Sequence, residues 1–398
     1  MKTQLLLLLA SLGMIGSLGI DTYLPAFGAL EAHFQVSPLL LQQSLTSYLV
    51  GMALMMLLYG TLSDCFGRRP VILWSLSIFT LSSFGAASSN SIDALFAWRV
   101  SQGLAAGAGS VVGRAIIQDC TDGPKALRAM SQVIMAFALA PAVAPTLGGW
   151  LLQLGGWRSI FIFLGTFSTV LLICCWFGLA ESLPKQHRQR FSIMALSLSY
   201  LGVIGNKRFF LLTVAGGLAF AVFSLYIGAA SAFVVTILQL GSSDFAWLFV
   251  PLVVGMISGS WTGANLAKRF SGAKLIGIGY VILLLSSAVS VLYASLTDIH
   301  LPWATLPLGA ATFGLALVNP GLALGAMQHF PDSRGLASSL NAFVNTLFFA
   351  LFAGGIAPLL AHDARLLAWG TLLSVALSAI IWLTTHLYPL PCPNNGNS

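Results

Sequence analysis

Two charged side chains, Asp21 and Arg99, lie well inside apolar segments of this 398-residue chain. A charge at the centre of a lipid bilayer costs about 2.5–3.5 kcal/mol on insertion scales, so such residues usually face one another, a polar cavity or an ion path. Asp21 is the only acidic residue in any of these segments, and therefore the only carboxyl group there that can exchange a proton. The two residues predict that protons or a substrate are handled within the membrane.

The composition requires helices that cross a membrane many times. Hydrophobic residues make up 57% of the chain and charged residues only 7%, against about 25% charged in a typical soluble domain. This excludes a cytosolic enzyme, a disordered regulator and a secreted disulfide scaffold. We predict an all-α membrane protein with twelve transmembrane helices, here called spans 1 to 12. They cover 4–29, 38–62, 71–89, 93–114, 128–152, 158–180, 208–235, 244–267, 273–295, 303–327, 336–360 and 366–388.

The basic residues predict the orientation of the spans. With the N-terminus inside, fifteen of the eighteen Lys and Arg residues fall on the cytoplasmic side, and only Arg158 and Arg365 fall outside. This asymmetry matches the positive-inside rule and predicts that both termini are cytoplasmic. The apolar start of the chain imitates a signal peptide, but it continues to Phe27 without a convincing cleavage site, so a first span is the better interpretation. The net charge of +7 lies in short loops and does not indicate nucleic-acid binding.

The longest polar connection divides the spans into two sets of six. We predict an N-terminal bundle over 1–180, a cytoplasmic central loop over 181–207 and a C-terminal bundle over 208–398 that ends in a short tail. Residues 192–204 of the loop are apolar enough to form an interfacial helix. Paired halves suggest an internal duplication, which is common among transporters.

The predicted depths of Asp21 and Arg99 are similar. Asp21 lies about 12 Å and Arg99 about 9 Å below the outer ends of spans 1 and 4, at 1.5 Å per residue. The two can therefore pair if these spans are neighbours. The alternative interpretation is a structural ion pair, or an Arg99 that reaches toward the surface beside a protonated Asp21. Arg114 is less informative, because it is expected at the cytoplasmic end of span 4, where a long basic side chain can reach the surface.

The loop after span 2 combines glycine, acid and base within eleven residues, from Gly60 to Pro70. We expect Gly67 to allow a tight turn and Pro70 to begin the next helix. The acid is expected to pair with an arginine of the same loop or with a neighbouring loop. The residues that carry this pattern are Gly60, Asp64, Gly67, Arg68 and Arg69.

Span 5 carries two prolines followed by two glycines. Pro141 and Pro145 each remove a helical hydrogen bond and are expected to bend the span. Gly148 and Gly149 allow a neighbouring helix to approach closely. This combination suits a gate element, although plain packing is the alternative.

Polar side chains elsewhere in the spans are candidates for the lining of a substrate cavity, although hydrogen bonding between helices is the default explanation for most. Tyrosines suit an amphipathic aromatic ligand because they combine a ring with a hydroxyl. The candidates are Tyr23, Gln43, Tyr48, Tyr226, Asn319, Asn341 and Asn345. The six histidines lie in loops or at span ends, and the chain has no phosphate-binding Gly-x-x-x-x-Gly-Lys-[Ser/Thr] loop. We predict no cofactor and no bound metal.

These patterns resemble motifs of the major facilitator superfamily. The loop from Gly60 to Arg69 resembles motif A, with Cys65 where a basic residue is usual. Leu95-x-x-x-Arg99-x-x-Gln102-Gly103 resembles motif B, whose arginine is implicated in proton transfer. The segment from Pro141 to Gly149 is similar to motif C, the antiporter motif. Asp21-Thr-Tyr-Leu-Pro25 and Trp157-Arg158 resemble the Bcr/CflA drug-resistance branch, in whose members the position of Arg114 is usually uncharged.

The resemblance implies a proton-coupled antiporter that exports small, partly apolar drugs across the bacterial inner membrane. Asp21 and Arg99 would couple the proton, motif A would form the inner gate, and we expect a monomer. Three alternatives remain: an exporter of one metabolite, such as a nucleobase, nucleoside or amino acid; an uptake symporter, which fits motif C less well; and, from a different class, a polytopic membrane enzyme or a sensor without transport.

Overall fold

The computed structural model describes residues 3–121, 123–188, 193–241, 244–328, 330 and 334–387, and these contain helices but no strand. Residues 189–192 of the expected central loop and 388–398 of the expected tail lie outside the described part.

Spans 1 to 6 are Thr3–Asp21 with Leu24–Ala26 and Phe27–Phe34; Pro38–Phe66; Arg68–Ala87; Ile92–Ala106 with Ala108–Cys120; and, for spans 5 and 6 together, Gly123–Gly178. Spans 7 to 12 are Lys207–Ala219 with Ala221–Gly228 and Ala232–Ile237; Ala246–Leu266; Gly272–Leu296; Leu306–Met327; Arg334–Ala350 with Leu351–Ile356 and Ala357–Leu360; and Ala364–Leu387. The connection between the halves contains a helix at Ile193–Ile204.

Twelve spans follow from these helices once their breaks are considered. Nine helices of the described residues are long and apolar enough to cross a membrane, and the bent pair in span 7 makes a tenth. The continuous helix of spans 5 and 6 has non-helical backbone at Gly155 and Gly156, which divides it into two legs. The pieces of span 4, of 15 and 13 residues, are each too short to cross alone but together suffice. The predicted fold class is therefore confirmed.

The outer surface of the bundle is apolar, as a lipid-facing surface must be. Large side chains stand well exposed on several helices, among them Trp74, Phe177 and Trp261, which are 71%, 85% and 71% exposed. In water such a surface would drive aggregation, whereas in a bilayer it contacts lipid and the backbone polar groups remain satisfied within the helices. The chain is a multi-pass membrane protein.

Close backbone contacts repeat between the two halves, six spans apart. In the first half a Cβ added at Gly103 of span 4 would overlap the Tyr48 carbonyl of span 2. In the second half a Cβ at Gly255 of span 8 would overlap the Gly309 carbonyl of span 10. Close approach of this kind stabilises helix pairs in membranes by van der Waals packing. The repeat of the pair 2–4 as the pair 8–10 agrees with two pseudo-symmetric bundles.

The halves meet along two lines of contact. Span 2 packs on span 11, and the long helix of spans 5 and 6 packs on span 8. The helix Ile193–Ile204 of the central connection lies against spans 7 and 11, and the Tyr200 hydroxyl donates to the Leu57 carbonyl of span 2 at 2.7 Å. Contacts that join the halves in this way are those that must change if the bundles rock against each other.

Candidate functional site

Arg99 is fully buried within the first half, and the ion pairs of the described residues do not include it. Its NH1 donates to the Gly19 carbonyl of span 1 and to the Gln102 side-chain oxygen of its own span, both at 3.0 Å. The Gln102 amide in turn donates to the Ser83 hydroxyl of span 3 at 2.8 Å. Span 4 is thus connected to span 1 through the Arg99 guanidinium and to span 3 through the Gln102 amide. Its Nε and NH2 have no hydrogen-bond partner among the described residues.

Two tyrosine rings, rather than a carboxylate, lie against the Arg99 guanidinium. The guanidinium carbon of Arg99 lies 4.4 Å from the ring centre of Tyr23 and 4.3 Å from that of Tyr48. A cation held over an aromatic face is attracted by the ring quadrupole, by about 2 kcal/mol or more when water is excluded. Both hydroxyls are also engaged, that of Tyr23 with the Ser44 hydroxyl at 2.7 Å and that of Tyr48 with the Gly16 carbonyl at 3.0 Å. The rings therefore hold the cation in place.

Asp21 is 2% exposed and ends the first helix of span 1. The helix stops there because Pro25 cannot supply a backbone N–H and restricts the residue before it. Spans 1 and 4 are neighbours, as the bond from Arg99 to Gly19 shows. Nevertheless, the ion pairs of the described residues do not include Asp21. The structural ion pair with Arg99 that the sequence allowed does not occur among the described residues; the guanidinium instead lies against the two tyrosine rings and donates through NH1 to Gly19 and Gln102.

The motif C segment of span 5 packs against span 1 next to Asp21. A Cβ added at Gly148 would overlap the carbonyl of Thr22, the residue that follows Asp21. Pro141, Pro145, Gly148 and Gly149 all lie on the span 5 leg of the helix, and all are buried. The same approach recurs six spans later, where a Cβ at Gly228 of span 7 would overlap the Ala353 carbonyl of span 11. Gly148 thus sets how closely span 5 packs against the turn that carries Asp21.

Replacing Gly148 with alanine should disturb this contact. The added methyl group must push span 5 away from Thr22, and overpacking of this kind costs about 1–3 kcal/mol. We expect a lower melting temperature of the purified protein and weaker efflux. The matched control is Gly113→Ala in span 4, where the new Cβ would make only an ordinary contact of 3.9 Å with Leu9. Equal melting temperatures for the two variants would contradict the tight contact.

Arg68 is the centre of the motif A cluster at the other end of the bundle. It bonds Asp64 at 2.5 Å and Asp119 of span 4 at 3.0 Å, and it donates to the Ser63 hydroxyl at 2.6 Å. Its backbone N–H donates to Glu181 at 2.9 Å. The expected pairing of Asp64 with an arginine of its own loop is confirmed. The cluster joins the ends of spans 2, 3 and 4 to the start of the central connection.

Gly67 and Arg69 complete this cluster. Gly67 has φ 102° and ψ 156°, a backbone conformation that favours glycine, and an added Cβ would overlap the Glu181 carboxylate. Arg69 donates to the Trp176 carbonyl of span 6 at 2.7 Å, and its guanidinium lies 5.8 Å from the centre of that ring. Gly60 faces the second half, because a Cβ there would lie 3.7 Å from the Ser339 hydroxyl of span 11.

Glutamines join the halves at the end opposite the motif A cluster. The Gln42 amide of span 2 donates to the carbonyls of Gly228 in span 7, at 3.2 Å, and of Ala353 in span 11, at 2.7 Å. The Gln43 amide donates to the Gly354 carbonyl at 3.2 Å. Ala353 and Gly354 belong to a π-helical turn, Leu351–Ile356, and such turns are frequent at functional sites. We call these three bonds the glutamine seal.

The other candidates for the cavity lie in separate places. Tyr23 and Tyr48 are fully buried against Arg99 rather than lining an open cavity, and Gln43 belongs to the glutamine seal. Tyr226 packs edge-on against Phe233 at 5.3 Å. Asn319 and Asn345 face one point of span 7, since a Cβ at Gly216 would lie 3.3 and 3.4 Å from their side-chain oxygens. The Asn345 amide donates to the Asn341 carbonyl at 2.9 Å, while its side-chain oxygen is buried without a partner among the described residues.

Several residues of these clusters were not predicted as site residues. These are Asp119, Glu181, Ser83 and Gln42, none of which the sequence analysis singles out. A signal was available for Gln102, which stands three residues after Arg99 and so shares its helix face. No signal in the sequence points to Gln42, because its acceptors are carbonyls more than 180 residues away.

Comparison with known proteins agrees with this architecture. The family model of the Major Facilitator Superfamily matches residues 9–354. The chain is 30% identical to multidrug resistance protein D of Escherichia coli K12, covering 85% of this chain and 84% of that protein. It is 25% identical to a bicyclomycin resistance protein homologue of Haemophilus influenzae, covering 96% of both. A solved bacterial homologue of the human lysosomal transporter Spinster superposes with a TM-score of 0.74 at 16% identity, over 97% of this chain and 96% of that one.

The chain belongs to the Major Facilitator Superfamily, and the resemblance to its drug-resistance branch is confirmed by the names of these relatives. It is a transporter rather than an enzyme.

Proposed function

We propose that this protein is a proton-coupled antiporter that exports small, partly apolar compounds, including drugs, by alternating access. The observation that carries the proposal is the buried acid Asp21, which forms no ion pair among the described residues and follows by two residues the carbonyl that accepts from Arg99. Relatives named for resistance to several drugs and to bicyclomycin support the substrate class. Motif C at the turn of Asp21 supports antiport.

Asp21 is the proposed proton carrier. A buried carboxylate without a partner is costly, so this environment accommodates the uncharged acid. The carboxyl group can lose its proton only when water or a substrate reaches it, and this links proton release to a change of state. Arg99 keeps a fixed positive charge nearby and, through Gly19 and Gln102, holds spans 1, 3 and 4 in register. We propose that the rings of Tyr23 and Tyr48 hold the Arg99 guanidinium in place.

The glutamine seal is the proposed outer gate, and the motif A cluster the inner one. In the present structure the seal joins spans 2, 7 and 11, and under this proposal its three bonds break when the outer side opens. The polar group formed by Asn319, Asn341 and Asn345 is the proposed substrate contact of the second half. The unpartnered oxygen of Asn345 can accept a hydrogen bond from a ligand.

The remaining proposals concern location and assembly. We propose a monomer in the bacterial inner membrane with both termini in the cytoplasm, on the basis of the distribution of basic residues. We also propose two bundles, 1–180 and 208–398, joined by the connection 181–207, which rock about a central site.

The test compares cells with and without the protein. A panel of neutral, cationic and anionic drugs should show reduced susceptibility to several unrelated compounds when the protein is made. Export of a single nucleobase, nucleoside or amino acid, with unchanged susceptibility throughout the panel, would instead support the metabolite exporter.

Asp64→Asn should slow the transport cycle more than it weakens substrate binding. The substitution loosens Arg68, which holds four groups of the motif A cluster, yet this cluster lies at the opposite end of the bundle from Asp21. We expect turnover to fall about tenfold while binding of an exported compound changes less than twofold. Asp93→Asn, at an exposed acid in the first turn of span 4, serves as control. Normal turnover with a large loss of affinity would count against a gate role.

A further inference from the structure

Arg114 lies farther inside span 4 than the sequence indicated. The span was expected to end at Arg114, but the helix Ala108–Cys120 continues for six more residues. At 1.5 Å per residue the Arg114 backbone is therefore about 9 Å from the end of the helix. The helix thus continues past the predicted end of the span, and Arg114 lies along its length rather than at its last residue.

Helical phase places Arg114 on the face of span 4 that is directed at spans 1 and 2, and we call the accessible space along this face the gap. Residues one or two turns apart share a helix face, and Gly107 lies two turns before Arg114. A Cβ at Gly107 would contact Met52, Met56 and Tyr59 of span 2, at 3.5–3.6 Å. The adjacent face meets span 1, because a Cβ at Gly113 would contact Leu9.

The opposite face of span 4 is buried against other helices. Val112 and Ile116 lie about half a turn from Arg114 around the helix, and they are 0% and 1% exposed. The Arg114 side is open, since Arg114 and Gln118 are exposed and Ser110 is half-buried. The gap borders the second half, because Met56 accepts a bond from Thr346 of span 11 at 3.3 Å. Arg114 therefore lines a space between the two bundles rather than the lipid-facing surface.

The charge of Arg114 is not compensated within the described part of the chain. Its Nε donates to the Ser110 carbonyl at 2.8 Å, and the ion pairs of the described residues do not include it. The nearest described acid along the chain, Asp119, is already engaged, since it accepts from Arg68 and from Ser182. Among the described residues the guanidinium makes no other hydrogen bond, and its remaining donors are available to a ligand.

We propose that Arg114 binds an anionic group of the substrate, so that this transporter accepts amphipathic organic anions from the cytoplasm. A planar guanidinium suits a carboxylate or sulfonate, with two parallel hydrogen bonds. The apolar part of such a ligand would lie against the half-buried Met56, whose flexible thioether adapts to different shapes. The inference rests on the proposed export function and adds a charge preference to it.

The test uses two fluorescent probes that differ only in charge, dansylglycine and its uncharged amide. Binding is measured by fluorescence titration of the purified full-length protein in lipid nanodiscs. We expect the wild type to bind dansylglycine about tenfold more tightly than the amide, which is typical of one charged hydrogen-bonded contact. Arg114→Gln should remove this preference and leave the affinity for the amide within twofold. Arg114→Lys should retain part of it.

The control is Arg269→Gln, which removes the same charge at an exposed cytoplasmic position outside the gap. It should leave both affinities unchanged. The proposal is overturned if the wild type shows no preference for dansylglycine, if Arg114→Gln weakens both probes equally, or if Arg269→Gln has the same effect. Drug efflux by the wild type is measured separately, so a lack of charge preference with intact efflux refutes only the anion site, whereas a loss of efflux refutes the export function.

Discussion

Arg99→Lys is expected to lower efflux at least tenfold while the protein is made in normal amounts. Lysine keeps the positive charge, but its compact ammonium cannot lie flat between the rings of Tyr23 and Tyr48 while bonding both Gly19 and Gln102. The expected loss of efflux therefore results from the altered geometry of these contacts, because the positive charge is unchanged. The measurement is drug efflux from cells, normalised to the amount of membrane-inserted protein.

Arg158→Lys is the matched control. The Arg158 guanidinium lies 4.3 Å from the centre of the Trp157 ring, a contact of the same kind, but it stands at the outer end of span 6, where water can replace what is lost. We expect less than a twofold change in efflux. Equal effects of the two substitutions, or normal efflux by Arg99→Lys, would contradict the role given to the tyrosine rings.

Asp21→Asn is expected to abolish efflux driven by a pH gradient while leaving substrate binding intact. Asparagine has nearly the size of the protonated acid, and in this environment it replaces a group that has no ion-pair partner, so folding should be preserved. It cannot release a proton, however. We expect exchange of labelled for unlabelled compound to continue in vesicles, and accumulation against a gradient to cease. Asp93→Asn should behave as the wild type in both assays.

Proton-driven accumulation by Asp21→Asn at the level of the wild type would refute the assignment. Loss of exchange as well as accumulation, in protein that still binds the compound, would place Asp21 in the conformational change rather than in proton transfer.

Much of the fold could be predicted from the sequence, because the bilayer imposes a simple rule. A span needs about 20 apolar residues, and the helices of the described residues fall on the apolar runs of the sequence. The orientation indicated by the basic residues stays a prediction. Failures occurred where helices continue beyond the apolar run, as in span 1, which extends to Phe34, and in span 4, which extends to Cys120. Helical backbone continues there because intrahelical hydrogen bonds form in water as well as in lipid.

The site could be predicted only in part. The residue types of Asp21 and Arg99 drew attention because charge is costly in lipid, but their partners depend on which helix faces meet. The sequence therefore allowed an ion pair where the structure places two tyrosine rings. It also grouped seven polar residues as one cavity, although tertiary packing separates Tyr23 and Tyr48 from Asn319 and Asn345. The glutamine seal depends on carbonyl acceptors, which no side-chain pattern reveals.

The most direct test of the central claim is proton movement in vesicles that contain the purified protein alone. A pH-sensitive dye inside the vesicles reports protons when a compound exported in the drug panel is added on one side, without any other energy source. The account predicts compound-dependent proton movement by the wild type and none by Asp21→Asn. Transport of the compound by the wild type without any proton movement would contradict it.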